Sequence, residues 1–274
     1  MSDIVLSHIS KAFEETLVLD DFSAVFPDGK ITVIMAPSGR GKTTLLRILE
    51  GFEKADGGTI SGLSGRVLSA AFQDSCLIPR LKAWKNIQIV NPAMTKEEII
   101  GEMEKLSLGR CAEELAEKLS GGEKRRVSLL RALLYPADTY LLDEPFNALD
   151  WERKEEAIAY TKKRLSGRTV LLITHNLGLV AQYSKYVNVM YAGEIIERGT
   201  VPEVLGSPIH PYTQGLLAAV PRLDLPKDSP LVGIPGTVPP PTDWPSGCAF
   251  HPRCPKATEE CSRVVAKSCM AALR

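Results

Sequence analysis

Three short motifs follow one another in a fixed order along this 274-residue chain, and that order restricts the fold more than the composition does. Residues 36–43, Ala-Pro-Ser-Gly-Arg-Gly-Lys-Thr, follow an apolar run, residues 119–123 read Leu-Ser-Gly-Gly-Glu, and Asp143-Glu144 ends a further apolar run. A glycine-rich loop between a buried strand and a helix is typical of a sheet with helices packed on it. We therefore expect an α/β fold.

The first motif has the composition of a phosphate-binding loop. Glycines let the main chain approach a phosphate closely, and the N–H groups that open the next helix, predicted at 44–50, attract negative charge. Lys42 would reach the β- and γ-phosphates, and Thr43 would bind Mg²⁺. The expected nucleotide-binding residues are Ser38, Gly39, Arg40, Gly41, Lys42, Thr43 and Thr44. Alanine replaces the usual glycine at position 36, which requires a negative φ there; the alternative is an ordinary glycine-rich turn.

Three further elements are predicted by local patterns. Helical patterning predicts a helix at 96–105, and Pro-Glu-Val-Leu at 202–205 predicts one more short helix. The stretch 191–197 predicts a hairpin that turns at Ala192-Gly193.

Polar residues follow several of the predicted strands. Apolar runs predict buried strands at 31–35, 67–72, 140–142, 170–173 and 187–190. Because ligands bind beyond the carboxyl ends of such strands, we expect Gln73, Asp143, Glu144 and His175 to meet at one site. Asp143 would support the Mg²⁺, and Glu144 would polarise the attacking water. The alternatives are a helix-capping pair at Asp143-Glu144 and a packed or solvated His175.

The order of these motifs resembles that of the nucleotide-binding subunits of ABC transporters over roughly residues 1–200. The resemblance implies a P-loop NTPase domain that binds ATP and Mg²⁺, with a helical subdomain at about 74–118 that docks on a permease. It also implies that Gln73 touches the Mg²⁺ or the water and that His175 contacts the γ-phosphate. Phe13 stands where the family stacks an aromatic ring on adenine; the alternative is a core phenylalanine in the first hairpin.

Residues 119–123 resemble the signature sequence of the same family. Ser120 and Glu123 have capping-box spacing, and Gly121-Gly122 expose N–H groups at the start of a helix that stops at Pro136. The resemblance implies a head-to-tail dimer in which Ser120, Gly121, Gly122 and Glu123 bind the ATP of a second ATPase subunit. Asp150 belongs to a loop resembling the one that connects the two sites. The sequence leaves open whether that second subunit is identical or different.

The last part of the chain has a different composition. Thirteen of the 19 prolines lie in the last 74 residues, which predicts an ATPase domain at 1–200 and an extension at 201–274. Segments 210–217, His-Pro-Tyr-Thr-Gln-Gly-Leu-Leu, and 247–255 resemble the extension of oligopeptide, dipeptide and nickel permease ATPases. The resemblance implies a subunit of an importer for peptides or nickel. A sulfonate or nitrate importer and a soluble, non-transport ABC ATPase are the alternatives.

Four cysteines of the extension could bind a metal. Cys248, Cys254, Cys261 and Cys269 are separated by five, six and seven residues. Four thiolates suffice for a 4Fe–4S cluster or for tetrahedral Zn²⁺, and the absence of a tight Cys-x₂₋₄-Cys pair favours iron–sulfur. The alternative is four reduced thiols.

Charge and hydropathy restrict the partners. The chain carries 33 basic and 33 acidic residues, so it lacks the positive surface of a nucleic-acid binder. It has neither an apolar run of about 18 residues nor the pattern of a signal peptide. We expect a peripheral protein on the cytoplasmic face of the cell membrane. Its expected partners are integral-membrane permease subunits and, indirectly, a solute-binding protein.

Overall fold

The computed structural model describes residues 1–36, 41–220, 233–240 and 242–263. The chain divides into two compact units. Unit 1 consists of Met1–Phe26, Thr32–Leu63 and Ile173–Arg274, and unit 2 consists of Pro27–Ile31 and Ser64–Leu172. Strands and helices occur in both units, which confirms the predicted α/β class.

The elements are as follows in chain order. The strands are β1 (Ile4–Phe13), β2 (Thr16–Phe26), β3 (Ile31–Met35), β4 (Gly57–Ser61), β5 (Leu68–Ala71), β6 (Thr139–Asp143), β7 (Thr169–Ile173), β8 (Tyr186–Tyr191) and β9 (Glu194–Thr200). The helices are α1 (Lys42–Leu49), α2 (Ala83–Gln88), α3 (Lys96–Glu104), α4 (Gly121–Leu134), α5 (Trp151–Arg164), α6 (Leu177–Tyr183), α7 (Val201–Gly206) and α8 (Pro211–Ala218). Short 3₁₀ turns occupy Gly109–Cys111, Ala116–Lys118, His251–Arg253 and Glu259–Ser262.

Two sets of strands frame unit 1. β1 lies between β2 and β4 and is antiparallel to both, with the fully buried Ile9 opposite the fully buried Phe22. β8 lies between β3, to which it is parallel, and β9, to which it is antiparallel. The continuous apolar runs of β3 and β8 are typical of strands buried on both faces. β3 ends at Met35, directly before the glycine-rich loop.

The β8–β9 hairpin turns at Ala192-Gly193, where φ is 49° and 85°. Positive φ at both central residues defines the tight turn whose twist matches that of the flanking strands. The hairpin predicted at this dipeptide is therefore confirmed. The short helix predicted at 202–205 is α7.

The strands of unit 2 lie in the order β5, β6, β7. β5 and β6 are parallel, with Ala70 opposite Leu141 and Ala71 opposite Leu142. The chain therefore leaves both strands at the same edge. Gln73 and Glu144 each lie two residues beyond the last of these pairs.

A buried guanidinium holds the opposite edge of unit 2. Arg66 donates hydrogen bonds to Thr139, at the start of β6, to Thr169, at the start of β7, and to Asp28 at 2.8 Å. The hydrogen bond from Arg66, followed by one that the Thr169 hydroxyl donates to the same carboxylate, holds the pKa of Asp28 well below its usual range. The bonds fix the starting points of the strands whose far ends carry the candidate site.

Helix boundaries in unit 2 follow local capping. Thr95 and Glu98 form a capping box, so α3 begins at Lys96 as predicted and ends at Glu104. Ser120 and Glu123 form a second box at the start of α4, which ends at Leu134, shortly before Pro136. Both predicted helices are confirmed.

Several boundaries differ by one or two residues from the sequence prediction. The strand predicted at 67–72 is shorter, because β5 covers only Leu68–Ala71. The helix predicted at 44–50 begins earlier, at Lys42, because Gly41 already serves as its N-cap.

Candidate active site

The start of α1 is shaped to receive an anion. Gly41 has φ +83° and carries no side chain that could cap the helix, and the first turn of α1 contains no acidic residue. A Cβ on Gly41 would lie 2.8 Å from the carbonyl oxygen of Val18, so only glycine fits. An uncapped helix N-terminus attracts negative charge through its N–H groups and dipole. The donors therefore suit a phosphate.

Lys42 is held close to the end of β3. Its side chain is almost fully buried, with 6% of its surface exposed, and Nζ donates to the carbonyl oxygen of Ala36 at 2.8 Å. Thr43 is exposed, and Thr44 is half-buried. The predicted residues Ser38, Gly39 and Arg40 lie outside the described residues.

Ala36 satisfies the requirement, stated above, that φ must not be positive at this position. It is buried and is absent from the described non-glycine residues that have positive φ. Alanine at this position therefore brings no left-handed strain.

His175 lies near β3, the strand of unit 1 that precedes the phosphate loop. The N–H of Thr174, the preceding residue, donates to Ile34 of β3 at 3.2 Å. His175 is exposed, whereas Thr174 is buried. This exposure excludes a packed core histidine. It leaves the γ-phosphate role as a prediction beside the solvated alternative.

Phe13 ends β1 and is 41% exposed. The Lys11 ammonium lies 5.0 Å from the centre of its ring. The alternative of a core phenylalanine is therefore wrong. An exposed ring is available for stacking, but the adenine role stays a prediction.

In unit 2 the two acidic residues end β6 in a buried setting. Asp143 is 1% exposed and Glu144 is 7% exposed. Glu144 has φ +46°, an uncommon conformation for a residue with a side chain, and one that is found most often at functional sites. A buried pair of carboxylates supplies the hard oxygen atoms that Mg²⁺ prefers.

Gln73 is exposed beyond the adjacent strand β5. Arg125 of α4 is hydrogen-bonded near the end of β5 and interacts electrostatically with the acidic pair at the end of β6. Nη1 of Arg125 donates to the carbonyl oxygen of Phe72 at 2.7 Å. Burial lowers the pKa of Arg125, while the negative charges of Asp143, Asp74 and Glu144 oppose that shift. The structure thus brings Gln73, Asp143 and Glu144 to one edge of unit 2.

The signature segment forms the predicted helix start. Glu123 accepts hydrogen bonds from the N–H and hydroxyl of Ser120, at 2.9 and 2.8 Å, and these bonds lower the pKa of Glu123. A Cβ on Gly121 would meet nothing within 4 Å, and one on Gly122 would meet Leu149 at 3.8 Å. The helix start is therefore open on one side and touches the segment before Asp150 on the other.

Asp150 caps the next helix. Its carboxylate accepts the N–H of Arg153 at 3.0 Å, which starts α5. Ala148, two residues earlier, has φ +60°. A helix cap explains this aspartate structurally, and its nucleotide role stays a prediction.

Comparison with known proteins decides the family. Residues 19–147 match the family described as ABC transporter, and residues 196–261 match the oligopeptide/dipeptide transporter C-terminal region. The dipeptide transport ATP-binding protein DppF of Haemophilus influenzae is 30% identical over 90% of this chain and 84% of its own length. The probable D,D-dipeptide transport ATP-binding protein DdpF of Escherichia coli is 32% identical over 92% and 86%. The oligopeptide transport ATP-binding protein OppF of Escherichia coli is 30% identical over 86% and 79%.

The chain belongs to the ATP-binding proteins of ABC transporters. This ABC protein is an ATPase, as the sequence predicts. Among its described residues, no helix has the length and apolar character needed to cross a bilayer.

Two arginines of this ABC ATPase escape prediction from the sequence. Besides Arg125, Arg131 of α4 donates to the carbonyl oxygens of Cys76 at 2.8 Å and Ser75 at 3.1 Å. Both therefore hold the segment around Gln73. In the sequence they look like the charged face of a helix, and only their partners more than 50 residues away reveal them.

The cysteines of the extension that the structure describes form no recognisable metal site. Within the described residues, no group of three or more His, Cys, Asp or Glu side chains is placed to hold a metal. Cys248 and Cys261 are buried, and burial, together with the charges of Cys261 and Cys254, raises the pKa of Cys248. Cys269 lies outside the described residues. The metal prediction therefore gains no support here.

Proposed function

We propose that this ABC ATPase powers an importer of oligopeptides or dipeptides. The match of residues 196–261 carries the proposal, because it lies outside the stretch that matches the general transporter family. Relatives named for dipeptide, D,D-dipeptide and oligopeptide transport support it. Nickel stays the alternative cargo. The match of the C-terminal region favours peptide import over a sulfonate or nitrate importer and over a soluble ABC ATPase.

The first motif of the extension, His210-Pro211-Tyr212, has a structural role that its hydrogen bonds support. The carboxylate of Glu197 in β9 is 4% exposed and accepts the N–H groups of Ile209 at 2.7 Å and His210 at 3.1 Å. Nδ1 of His210 accepts the N–H of Tyr212 at 3.1 Å. These hydrogen bonds hold the start of the extension against β9.

The second motif of the extension, 247–255, meets the first through aromatic rings. The ring of Phe250 lies 5.4 Å from that of Tyr212, and both rings contact Tyr191, at 5.3 and 4.7 Å. Such pairs stabilise a core beyond the area that they bury. These contacts support the extension proposed at 201–274, whose two motifs pack together on the end of β8.

Each site residue has a proposed role toward ATP. Lys42 neutralises charge on the β- and γ-phosphates, and His175 holds the γ-phosphate. Glu144 accepts the proton of the attacking water, whose oxygen bonds to the γ-phosphorus as the bond to ADP breaks. Gln73 orients that water. Phe13 stacks on adenine.

A divalent cation and a second subunit complete the proposed site. Thr43, Gln73 and Asp143 would hold Mg²⁺, which when bound neutralises charge on the phosphates. Gly41 and Thr44 line the phosphates beside Lys42. Ser120, Gly121, Gly122, Glu123 and Asp150 act at the dimer interface, toward the ATP of a second ATPase subunit. That subunit is either identical or different.

The partners follow from membership of a transporter family. We infer that the protein is peripheral on the cytoplasmic face of the cell membrane, where residues 74–118 dock on integral-membrane permease subunits. A solute-binding protein delivers the cargo, and nucleic acid is not a partner.

Growth on peptides tests the cargo. A null strain that is auxotrophic for one amino acid would receive that amino acid free or within di- and tripeptides, and would be complemented with wild type or Lys42→Ala. We expect wild type alone to restore growth on peptides, and both strains to grow on the free amino acid. Normal peptide growth of the null strain with loss of radioactive nickel uptake would instead assign nickel as the cargo.

The metal proposal for Cys248, Cys254, Cys261 and Cys269 is tested separately. Because the described thiols form no metal site, no step of ATP hydrolysis is assigned to a 4Fe–4S cluster or to Zn²⁺. Anaerobic purification followed by iron, sulfide and zinc analysis decides the matter. About four irons per chain support the cluster, one zinc supports the alternative ion, and a folded, metal-free extension excludes both.

A further inference from the structure

The indole ring of Trp244 fills the space above the β8–β9 turn. A Cβ on Gly193 would lie 2.6 Å from Cη2 and 2.9 Å from Cζ3 of this ring. Nε1 of Trp244 is buried and finds no hydrogen-bond partner among the described residues. Packing alone therefore holds the ring, so its removal orphans no polar partner.

The same turn also contacts β2 on its other side. A Cβ on Gly193 would lie 2.9 Å from the carbonyl oxygen of Val18, and the N–H of Asp20 donates to the carbonyl oxygen of Gly193 at 3.4 Å. The turn is thus enclosed between the extension and β2. It has little room to move while the indole ring is in place.

Val18 in turn contacts the start of the phosphate-loop helix. A Cβ on Gly41 would lie 2.8 Å from the Val18 carbonyl oxygen and 3.2 Å from Val18 Cγ1. One carbonyl oxygen therefore lies close to both glycines. The contacts run without a gap from Trp244 through Gly193 and Val18 to Gly41.

The extension holds the turn at a second point. Tyr191, the last residue of β8, is fully buried, and the ring of Phe250 meets it edge-on at 5.3 Å. Two residues of the extension, Trp244 and Phe250, thus fix the backbone on which Val18 rests.

We propose that Trp244 is a positioning residue for the nucleotide site: through the β8–β9 turn and Val18, the C-terminal extension sets the affinity of the phosphate loop for nucleotide. The inference rests on the assignment of the phosphate loop to ATP. Loss of the ring lets the turn and β2 relax, so that Gly41 and the N–H groups after it are less well ordered before nucleotide binds. Binding must then order them at a cost in affinity.

The experiment compares Trp244→Ala with Thr242→Ala, an exposed position in the same segment. Titration calorimetry with Mg·ADP, a probe that is not hydrolysed, gives the affinity. We expect the Kd of Trp244→Ala to rise about three- to tenfold, which lies within the range that mutations along a coupled network produce, and that of Thr242→Ala to stay at the wild-type value. The KM for ATP should rise in parallel while kcat changes little.

A spectroscopic measurement avoids dependence on the alanine variant. Because coupling is reciprocal, bound Mg·ADP should shield Trp244 from quenching by acrylamide. We expect this nucleotide-dependent shielding in wild type and its loss in Trp244→Phe, which retains Trp84 and Trp151.

The outcomes distinguish the assignment of the phosphate loop to ATP from the positioning role of Trp244. Wild type that fails to bind Mg·ADP contradicts the assignment of the phosphate loop. Wild type that binds, together with an unchanged Kd in Trp244→Ala and unchanged shielding in Trp244→Phe, overturns the role of Trp244.

Discussion

Glu144 joins two features that each cost free energy, burial of a carboxylate and a left-handed backbone. Strain of this kind costs about 1–3 kcal/mol and persists only where the surroundings enforce it. The end of β6 supplies that enforcement, since Asp143 and Phe146 on either side are buried as well. The residue proposed as the base is thus held rigidly in place.

His210 makes stability depend on pH. Burial lowers its pKa from 6.5 to about 4, so the folded protein keeps it neutral while the unfolded chain takes up a proton. The contribution of His210 to the free energy of unfolding is therefore fully present above pH 6.5 and is lost as the pH falls toward 4. We expect a loss of about 2 kcal/mol between pH 7.5 and 5.

The variant His210→Asn retains an acceptor for the N–H of Tyr212 but does not titrate. Urea unfolding at several pH values should show a weaker decline of the midpoint in His210→Asn than in wild type. An identical decline in both proteins would assign the pH dependence to other groups.

Glu50 changes stability with pH in the opposite direction to His210. Burial raises its pKa from 4.5 to about 7, and neither carboxyl oxygen has a hydrogen-bond partner among the described residues. The folded state favours the protonated form, so the contribution of Glu50 to the free energy of unfolding falls as the pH rises from 4.5 through 7 and stays low above that.

We expect Glu50→Gln to raise the free energy of unfolding by about 1–2 kcal/mol at pH 8, a value discounted for partial exposure. Near pH 4.5 the variant and wild type should be equally stable. Urea unfolding at both pH values checks this, and a variant less stable than wild type at pH 8 would contradict it.

At the scale of elements, α4 links the signature segment to the segment around Gln73. Its N-terminus carries the capping box, and Arg125 and Arg131 donate to carbonyl oxygens of Phe72, Ser75 and Cys76. These bonds are charge-assisted, which makes them stronger than ordinary hydrogen bonds, and those to Phe72 and Ser75 are partly buried. The two segments are therefore expected to move together.

Arg131→Met tests this link. It retains much of the aliphatic packing but loses both hydrogen bonds, so amides at 73–78 should exchange hydrogen about ten- to a hundredfold faster, reflecting local opening. Arg110→Met, at a position whose side chain is 83% exposed, is the control. Equal protection of 73–78 in both variants would show that Arg131 does not hold the segment.

Local signals in the sequence predicted much of the frame. Capping boxes at Thr95 and Ser120 and the turn at Ala192-Gly193 are determined by neighbouring residues. The meeting of Gln73 with Asp143-Glu144 follows from the geometry of parallel strands.

Contacts between distant segments were not predictable. Arg131 reaches Cys76 across 55 positions, and Trp244 meets Gly193 through packing that no local pattern encodes. Arginine in a helix is usually solvated, and tryptophan in a proline-rich segment carries no periodic signal. The exact start of α1 depended on a single glycine conformation at Gly41.

At the scale of the whole molecule, the phosphate loop and the extension belong to the same unit, and the acidic pair and the signature segment belong to the other. The packing of the extension on β8 and β9 gives a physical reason why a subfamily-specific segment is part of the folded ATPase. The phosphate loop and the extension proposed to adjust it thus lie in unit 1, and the proposed base Glu144 lies in unit 2.

ATP turnover and nucleotide retention by Glu144→Gln test the central claim most directly. Protein incubated with labelled Mg·ATP and then freed of excess nucleotide should retain intact ATP in Glu144→Gln and none in Lys42→Ala. Turnover by Glu144→Gln should fall at least about 100-fold, the usual contribution of a general base. A Glu144→Gln protein that hydrolyses ATP at the wild-type rate would contradict the account.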